Sequence, residues 1–310
     1  MSWNTDQIPD LTGKRAVITG VTGGLGVNAA MELARHGANL VVTARDDAKA
    51  AIAVERIEKA APGAKVDVVT LDLADLANVR SAAARVAAEY NRIDILINNA
   101  GVMAAPHRLT TDGFELQIGT NHLGHFAWTA LLWPVLKASD ARIVTVSSHA
   151  HTMVSGVDLR SITTEGAPRR YRRWRSYGES KLANLSFALE LNRRVQAAGL
   201  GVVSVAAHPG YASTNLTAAG PSLGGSTIAS VGMHQITRVI GQPAPAGAWP
   251  LLMAATQADL PGGSYVGPGG IRQLRGRPKL VGMTQAARDE ALASALWAAS
   301  ESATGIEFAL

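Results

Sequence analysis

Residues 15–26 are Arg-Ala-Val-Ile-Thr-Gly-Val-Thr-Gly-Gly-Leu-Gly, a β-branched apolar run joined directly to a glycine-rich turn. Residues 28–36 continue the stretch with helical character, and Gly37 is typical of a helix C-terminus. A helix that starts at such a turn binds anions, because its free N–H groups and its dipole point at the turn. Glycines also let the main chain approach a pyrophosphate closely. The stretch therefore predicts a dinucleotide-binding unit whose phosphate turn contains Gly20, Thr22, Gly23, Gly24, Leu25 and Gly26.

The next strand is expected at residues 40–44, and it ends at Arg45-Asp46-Asp47. An acidic residue at this distance from the glycines usually binds the adenosine ribose of NAD, whereas an arginine suits the 2′-phosphate of NADP. Arg45 comes first, at the point where the strand ends, and the two aspartates favour the N-terminus of the following helix. We therefore expect NADP as the cofactor, with NAD as the open alternative.

Strands and helices continue to alternate along the chain. Apolar runs predict strands at residues 66–71, 93–97, 142–146, 202–207 and 264–266, and helices are expected at 76–90, 111–136, 176–198 and 286–302. This alternation predicts an α/β fold, a Rossmann-like doubly wound parallel sheet of about seven strands with helices on both faces. No repeat and no clear linker interrupts the pattern, so we expect residues 1–310 to form a single domain.

Polar motifs follow the predicted strands. They are Asp72-Leu73, Asn99-Ala100-Gly101, Ser147-Ser148 and His208-Pro209-Gly210. Open α/β sheets bind ligands outside the carboxyl ends of their strands, so these motifs are expected to share one edge. Tyr177 and Lys181 are four residues apart at the start of a predicted helix, on the same helix face. A fixed positive charge helps a tyrosine to give up its proton, although the pair alone could simply begin a surface helix.

Composition limits the class of protein. The 310 residues are 47% hydrophobic and 17% charged, which suits a globular protein with a large core. The absence of cysteine excludes disulfides, cysteine nucleophiles and thiolate metal sites. No apolar run reaches the roughly 18 residues of a membrane span, and no signal peptide is visible. We therefore expect no transmembrane segment and, by default, a cytoplasmic location.

Three further features have two or more interpretations. The net charge of +5 comes largely from the arginines of residues 169–175; a solvated loop is favoured over contacts to nucleic acid, an anionic substrate or a membrane surface. Residues 211–248 are rich in Gly, Pro, Ser and Ala, and we interpret them as a small substrate lid, or otherwise as a poorly ordered insertion. The pairs His122/His125 and His149/His151 lack a third ligand in the sequence, so no metal is expected.

Together these residues resemble the short-chain dehydrogenase/reductase family. Thr19-Gly20, Gly24 and Gly26 are similar to its TGxxxGxG turn, and residues 98–101 are similar to its NNAG segment. Residues 121–126, 180–184 and the tail from Ala291 resemble the retinol-dehydrogenase-like branch, in which NADP is common and substrates are often apolar alcohols or carbonyls. Gly23 departs from the family, which often has a basic residue there, and this departure weakens the case for NADP. The spacing of 29 residues from Ser148 to Tyr177 indicates an inserted loop at 149–176.

The resemblance implies a role for each matched residue. Tyr177 would act as general acid/base, Lys181 would favour its ionised form and bind the nicotinamide ribose, Ser148 would bind the substrate oxygen, and Asn121 would position a water that relays protons to Lys181. Cofactor contacts would come from the glycine turn and from Arg45, Asp72, Leu73, Asn99, Ala100, Gly101, Tyr177, Lys181, Pro209 and Gly210.

We therefore expect an oxidoreductase that transfers a hydride between NADP(H) and an apolar small-molecule substrate, which is an alcohol, an aldehyde or a ketone. A redox-sensing protein that binds NADP(H) without chemistry is the alternative, and such proteins typically lose the Tyr or the Lys. No nucleic-acid partner is expected, and homo-oligomerisation is left open.

Overall fold

The computed structural model describes residues 3–163, 171–211 and 242–310. Eight strands form a single sheet in the order β3-β2-β1-β4-β5-β6-β7-β8. All neighbouring strands are parallel except β7 and β8, which are antiparallel. The strands are β1 Arg15–Thr19, β2 Asn39–Ala44, β3 Val66–Thr70, β4 Ile95–Asn98, β5 Arg142–Val146, β6 Val203–Ala207, β7 Tyr265–Pro268 and β8 Pro278–Leu280.

Helices cover both faces of the sheet. They are α1 Gly24–Arg35, α2 Asp47–Ala60, α3 Leu76–Glu89, α4 Leu116–Ile118, α5 Gly124–Leu131, α6 Trp133–Ala138, α7 Arg173–Ala197, α8 Ala244–Thr256 and α9 Glu290–Thr304. No helix among the described residues is both long enough and apolar enough to cross a membrane. The predicted Rossmann-like α/β architecture is confirmed.

Side-chain alternation along each strand builds two cores. Ile18, Val42 and Ile97 pack with α1, α2 and α8 on one face of the sheet. The preceding residues Val17, Val41 and Leu96 pack with α3, α5, α7 and α9 on the other face. Successive side chains of a strand point to opposite faces, so strands that are covered on both faces become continuous apolar runs. This is why β1, β2 and β4 could be located from the sequence.

Two expected elements differ in the structure. The sheet gains an eighth strand, β8, at its edge, beyond the seven expected. The single helix expected at residues 111–136 begins only at Leu116, widens into a π-helical turn at Gly119–Leu123, and is interrupted at Leu132. Pro134 explains the second break, because a proline cannot donate the intrahelical hydrogen bond and is favoured in the first turn of a new helix.

The expected lid and inserted loop are only partly described. Residues 244–248 begin helix α8, whose buried Ala248, Leu251 and Leu252 belong to the core beside α1, so the expectation of a lid is wrong for this end of 211–248. Residues 212–241 lie outside the described residues. Within 149–176, short 3-10 turns occur at His149–Met153 and Leu159–Ile162, and α7 begins at Arg173, earlier than expected. Residues 164–170 are also outside the described part.

Candidate active site

The glycine turn is held tightly between β1 and β4. Gly20 has a φ of +74°, and a Cβ added there would lie 2.8 Å from the Cα of Ala100. The side-chain nitrogen of Asn99 donates to the main-chain oxygens of Thr19 and Gly20 over 2.8 and 3.1 Å. The Asn99 amide therefore holds the main chain of the turn, a role that the expected contact between Asn99 and the cofactor does not include.

The start of α1 fits the phosphates of a dinucleotide. Its N-cap, Gly23, has no side chain to accept hydrogen bonds from the first turn, so these N–H groups keep their capacity to bind an anion. Thr22 is exposed at the outer side of the turn, and Gly24 and Leu25 are partly buried. A pyrophosphate fits this turn for two reasons. The glycines let the main chain pass close to Ala100, and the first turn of α1 has no side-chain cap.

Thr19 and His125 support this turn, and sequence reasoning did not select them. The Thr19 hydroxyl accepts hydrogen bonds from the main-chain nitrogens of Asn99 and Ala100 over 2.9 and 3.0 Å. The His125 ring contacts the same hydroxyl through Nε2 at 2.9 Å, and its Nδ1 contacts the main-chain oxygen of Asn121 at 2.9 Å. Because a carbonyl only accepts, Nδ1 carries the ring proton and Nε2 accepts from Thr19. These bonds connect the phosphate turn to the helix that contains Asn121.

Arg45 and Asp72 lie at the ends of β2 and β3. The Arg45 guanidinium is 4.0 Å from the Asp72 carboxylate, and the two side chains are 62% and 41% exposed. Asp46 caps α2 by accepting a hydrogen bond from the main-chain nitrogen of Lys49, as its position in the sequence predicts. Asp46 is therefore engaged by the helix, and Arg45 presents an exposed cation at this edge. Leu73, next to Asp72, is buried.

Tyr177 and Lys181 are buried together on α7. They are 5% and 3% exposed, and the Lys181 ammonium lies 5.8 Å from the centre of the Tyr177 ring. The Lys181 Nζ donates to the main-chain oxygen of Val146 over 3.1 Å, at the end of β5. Ser147, on the same strand end, donates to the main-chain oxygen of Lys181 over 2.7 Å and so ties α7 to β5.

Burial governs the protonation of this pair. It raises the pKa of Tyr177 to about 12, and a hydrogen bond with the Ser148 hydroxyl opposes that rise. Burial lowers the pKa of Lys181 to about 8. Desolvation of the phenolate therefore acts on the pKa of Tyr177 in the direction opposite to the one expected from a nearby ammonium alone.

Asn121 lies in the π-helical turn and faces the same site. Its Oδ1 accepts from the main-chain nitrogen of Val102 over 2.8 Å, and its Nδ2 donates to the Val102 oxygen and the Ser180 hydroxyl, each over 2.9 Å. A Cβ added at Gly101 would lie 2.8 Å from Asn121 Oδ1 and 3.6 Å from Lys181 Nζ. Asn121, Gly101 and Lys181 therefore meet at one point.

His208 holds the turn that follows β6. The sequence identifies it only as the residue before Pro209-Gly210. His208 is fully buried, and its Nδ1 accepts from the main-chain nitrogen of Gly210 over 3.2 Å. Its Nε2 must then carry the proton, which it donates to Gln273 Oε1 over 3.0 Å. Burial lowers the pKa of His208 to about 3, so the ring is neutral. It holds the Pro209-Gly210 turn, where Gly210 has a φ of +67°.

The histidine pairs have structural partners. His122 Nε2 contacts the Ser300 hydroxyl at 2.8 Å, and His151 Nδ1 contacts the main-chain oxygen of Ser148 at 2.7 Å. Within residues 3–163, 171–211 and 242–310, no group of three or more His, Cys, Asp or Glu side chains is arranged to hold a metal ion.

Comparisons with known proteins show the family to which the chain belongs. The family model for short chain dehydrogenases matches residues 14–158. Retinol dehydrogenase 13 from Homo sapiens is 38% identical over 301 residues, which cover 96% of this chain and 86% of that protein. The chain belongs to the short-chain dehydrogenase family, whose members are oxidoreductases that use NAD or NADP. The resemblance to the retinol-dehydrogenase-like branch is thereby confirmed.

Further relatives support the same assignment. Retinol dehydrogenase 12 from Mus musculus is 44% identical over 212 residues, which cover 68% of this chain and 64% of that protein. A crystal structure of an uncharacterised protein from Mycobacterium paratuberculosis is 42% identical, with a TM-score of 0.80 and full coverage of both chains. Levodione reductase, at 18% identity and a TM-score of 0.66 over 82% of this chain and 95% of that one, shares the fold.

Proposed function

We propose that this protein interconverts an apolar alcohol and the corresponding carbonyl compound with NADP(H) as cofactor. The observation that carries the proposal is the buried pair of Tyr177 and Lys181, with the Ser148 hydroxyl near enough to the phenol to lower its pKa. Burying an ammonium costs stability, so its presence beside a buried phenol is not explained by folding. At the ligand-binding edge of a sheet, such a pair indicates a role in proton transfer. When bound, the nicotinamide supplies or accepts the hydride.

Tyr177 handles the proton in this proposal. In the reductive direction it donates its phenolic proton to the substrate oxygen, and in the oxidative direction it accepts the hydroxyl proton. Ser148 donates a hydrogen bond to the same oxygen and stabilises the charge that develops there. The Lys181 ammonium, protonated at neutral pH because its pKa is about 8, lowers the free energy of the phenolate. Asn121 and Gly101 hold the main chain around the ammonium.

The choice of NADP rests on Arg45. Its exposed guanidinium stands at the end of β2, where a 2′-phosphate would lie, and the neighbouring Asp46 is engaged as a helix cap. Asp72, 4.0 Å away, offsets part of this charge. The choice of an apolar alcohol or carbonyl is supported by the names of the relatives, since retinol is an apolar alcohol.

Exchange of Tyr177 to Phe tests the mechanism. The variant should lose turnover by at least about a hundredfold, the range that general acid–base groups contribute, while its dissociation constant for NADPH stays within about threefold. Tyr90→Phe is the matched control, because its phenol bonds to Asp67 and Glu89 away from the site. A panel of aldehydes, ketones, sterols and retinoids is assayed with NADPH and NADH. Retained activity in Tyr177→Phe contradicts the mechanism, and NADPH binding without any turnover by the wild type favours the sensor alternative.

A further inference from the structure

Trp174 is an exposed aromatic residue one helical turn before Tyr177. Its ring packs edge-on against the Tyr177 ring, with 6.2 Å between the ring centres and an angle of 81° between the planes. Trp174 is 39% exposed, whereas Tyr177 is only 5% exposed. The indole thus lies between solvent and Tyr177, the residue that we propose as the proton donor. Large aromatic side chains bury 150–250 Å² each when covered, so an uncovered one beside a reactive group is a favourable contact surface.

A buried polar cluster fixes the main chain on which Trp174 stands. The Gln117 amide, fully buried, donates to the Tyr171 hydroxyl over 2.8 Å and to the main-chain oxygen of Arg173 over 3.0 Å. The Tyr171 hydroxyl also bonds to the main-chain oxygen of Ala105 over 2.9 Å and to Glu115 Oε1 over 3.1 Å. The segment before Trp174 is therefore anchored to the loop after β4. An aromatic that is positioned in this way loses little conformational entropy on binding.

Two more exposed apolar side chains lie on the segments that follow the carboxyl ends of β4 and β5. Met153 is 59% exposed and ends the 3-10 turn that follows Ser148. That turn packs on α7, because a Cβ added at Gly178 would lie 2.8 Å from the main-chain oxygen of Ala150. Leu109 is 57% exposed and pairs through its main chain with Glu115, within the cluster that anchors Tyr171. The start of α7, the turn after β5 and the segment after β4 thus each have one large exposed apolar side chain.

We propose that Trp174 is the substrate-contacting residue that favours substrates with a large apolar or aromatic group beside the reacting carbon. The inference rests on the proposed function. The reacting oxygen meets Tyr177 and Ser148, and the apolar group lies on the exposed face of the indole, with Met153 and Leu109 at the rim. The neighbouring charge of Arg175 is neutralised by an ion pair of 2.9 Å with Glu179.

The test compares aldehydes that share one reacting group and differ in apolar size. Propanal, hexanal, decanal and cinnamaldehyde are reduced with NADPH by the wild type, Trp174→Ala, Trp174→Phe and the control Ile52→Ala, an exposed apolar residue on α2. We expect the ratio of kcat/KM for decanal or cinnamaldehyde to that for propanal to fall about tenfold in Trp174→Ala, chiefly through KM. Trp174→Phe should retain most of the ratio, and Ile52→Ala all of it.

Folding is checked by NADPH affinity, and Trp174→Leu replaces Trp174→Ala if the latter fails to bind the cofactor. An unchanged ratio in the Ala or Leu variant overturns the inference while leaving the proposed function intact. An equal fall for all four aldehydes also overturns it, because it would mean that Trp174 only packs Tyr177. A wild-type protein that binds NADPH and reduces no member of the series or of the wider panel overturns both.

Discussion

The burial of the Lys181 ammonium costs folding stability, and the proposed proton transfer explains why the lysine is there. Its ammonium is buried, and among the described residues it donates to the main-chain oxygen of Val146. Burial therefore penalises the charged form, as the lowering of its pKa to about 8 records. We expect Lys181→Met to abolish turnover and to raise the free energy of unfolding at pH 7 by about 2 kcal/mol, because an apolar side chain of similar length replaces a buried charge. Urea unfolding measures the gain.

The pH dependence of this gain has a definite sign. Below pH 8 the lysine is protonated in both the folded and the unfolded states, so the full penalty is present. Between pH 8 and about 10.4 the folded protein binds fewer protons than the unfolded chain, and the wild type recovers stability as the pH rises. The difference between Lys181→Met and wild type should therefore shrink above pH 8. The exposed Lys137→Met should show no such trend, and a pH-independent difference would refute the assigned penalty.

Arg45 carries a second residue-level prediction. Exchange to Asp replaces the exposed cation at the end of β2 with an anion beside Asp72. A charge-assisted hydrogen bond to a phosphate is worth about 1.5–3 kcal/mol, so the preference for NADPH over NADH in kcat/KM should fall at least about tenfold. Lys65→Asp makes the same charge change at another exposed site and should leave the ratio intact. An unaltered ratio in Arg45→Asp would show that the 2′-phosphate is read by other residues.

Among the elements, the turn after β6 depends on a link across the sheet. His208 joins Gly210, which follows β6, to Gln273, which follows β7. Gly267 leaves room for the ring, since a Cβ there would overlap His208. We expect His208→Ala to lower the free energy of unfolding by about 2 kcal/mol, because it removes a buried ring and leaves polar groups unpaired. It should also weaken NADPH binding, which is measured by fluorescence titration.

Gln273→Ala provides the partner for a double-mutant cycle. The two single changes should be non-additive, with a coupling free energy of about 1 kcal/mol, since either one breaks the same hydrogen bond. Strict additivity would mean that His208 and Gln273 act independently on the turn.

The sequence located most elements because their signals are strong. The buried parallel strands β1, β2, β4 and β5 are β-branched runs, and each was placed to within about two residues, the usual uncertainty of element ends. The prediction of one helix over residues 111–136 was wrong because an apolar pattern does not reveal a π-helical turn. That turn is stabilised by the tertiary contacts of Asn121 with Val102 and Ser180, which no local pattern encodes. Strand β8 was missed because three residues at a sheet edge give no alternation to detect.

Residue types in the candidate site were predictable, but some interactions were not. Ser148 follows β5 at the edge where ligands of such sheets bind, and the spacing of four residues predicts that Tyr177 and Lys181 share one face of α7. That Asn121 joins them was predicted only from the family resemblance. The use of the Asn99 amide to hold the glycine turn depends on distances across β1 and β4, which the sequence does not contain. The direction of the Tyr177 pKa shift likewise depends on burial depth, so only the structure could decide between desolvation and attraction.

At the level of the whole molecule, neutral buried histidines should make the protein sensitive to acid. Burial lowers the pKa of His122, His125 and His208 to about 3, 4 and 3. In the unfolded chain each has a pKa near 6.5, so near pH 5 the unfolded state binds about three more protons at these positions than the folded state. Burial also lowers the pKa of His151, which acts in the same direction. Stability is fully present above pH 6.5 and is lost as the pH falls. Between pH 6 and 4 the free energy of unfolding should drop by about 4 kcal/mol per pH unit.

A typical domain is stable by only about 5–15 kcal/mol, so we expect acid unfolding with a midpoint between about pH 4 and 5. His122→Gln tests the cause, because it removes one of the four histidines whose pKa burial lowers while retaining a polar side chain toward Ser300. Whatever its effect on absolute stability, the slope of the free energy of unfolding against pH should fall by about a quarter to a third. His36→Gln, which makes the same change at a histidine that is only partly buried, is the matched control. Equal slopes in wild type and His122→Gln would show that other groups, such as the ion-paired carboxylates of Asp94 and Glu190, dominate the acid transition.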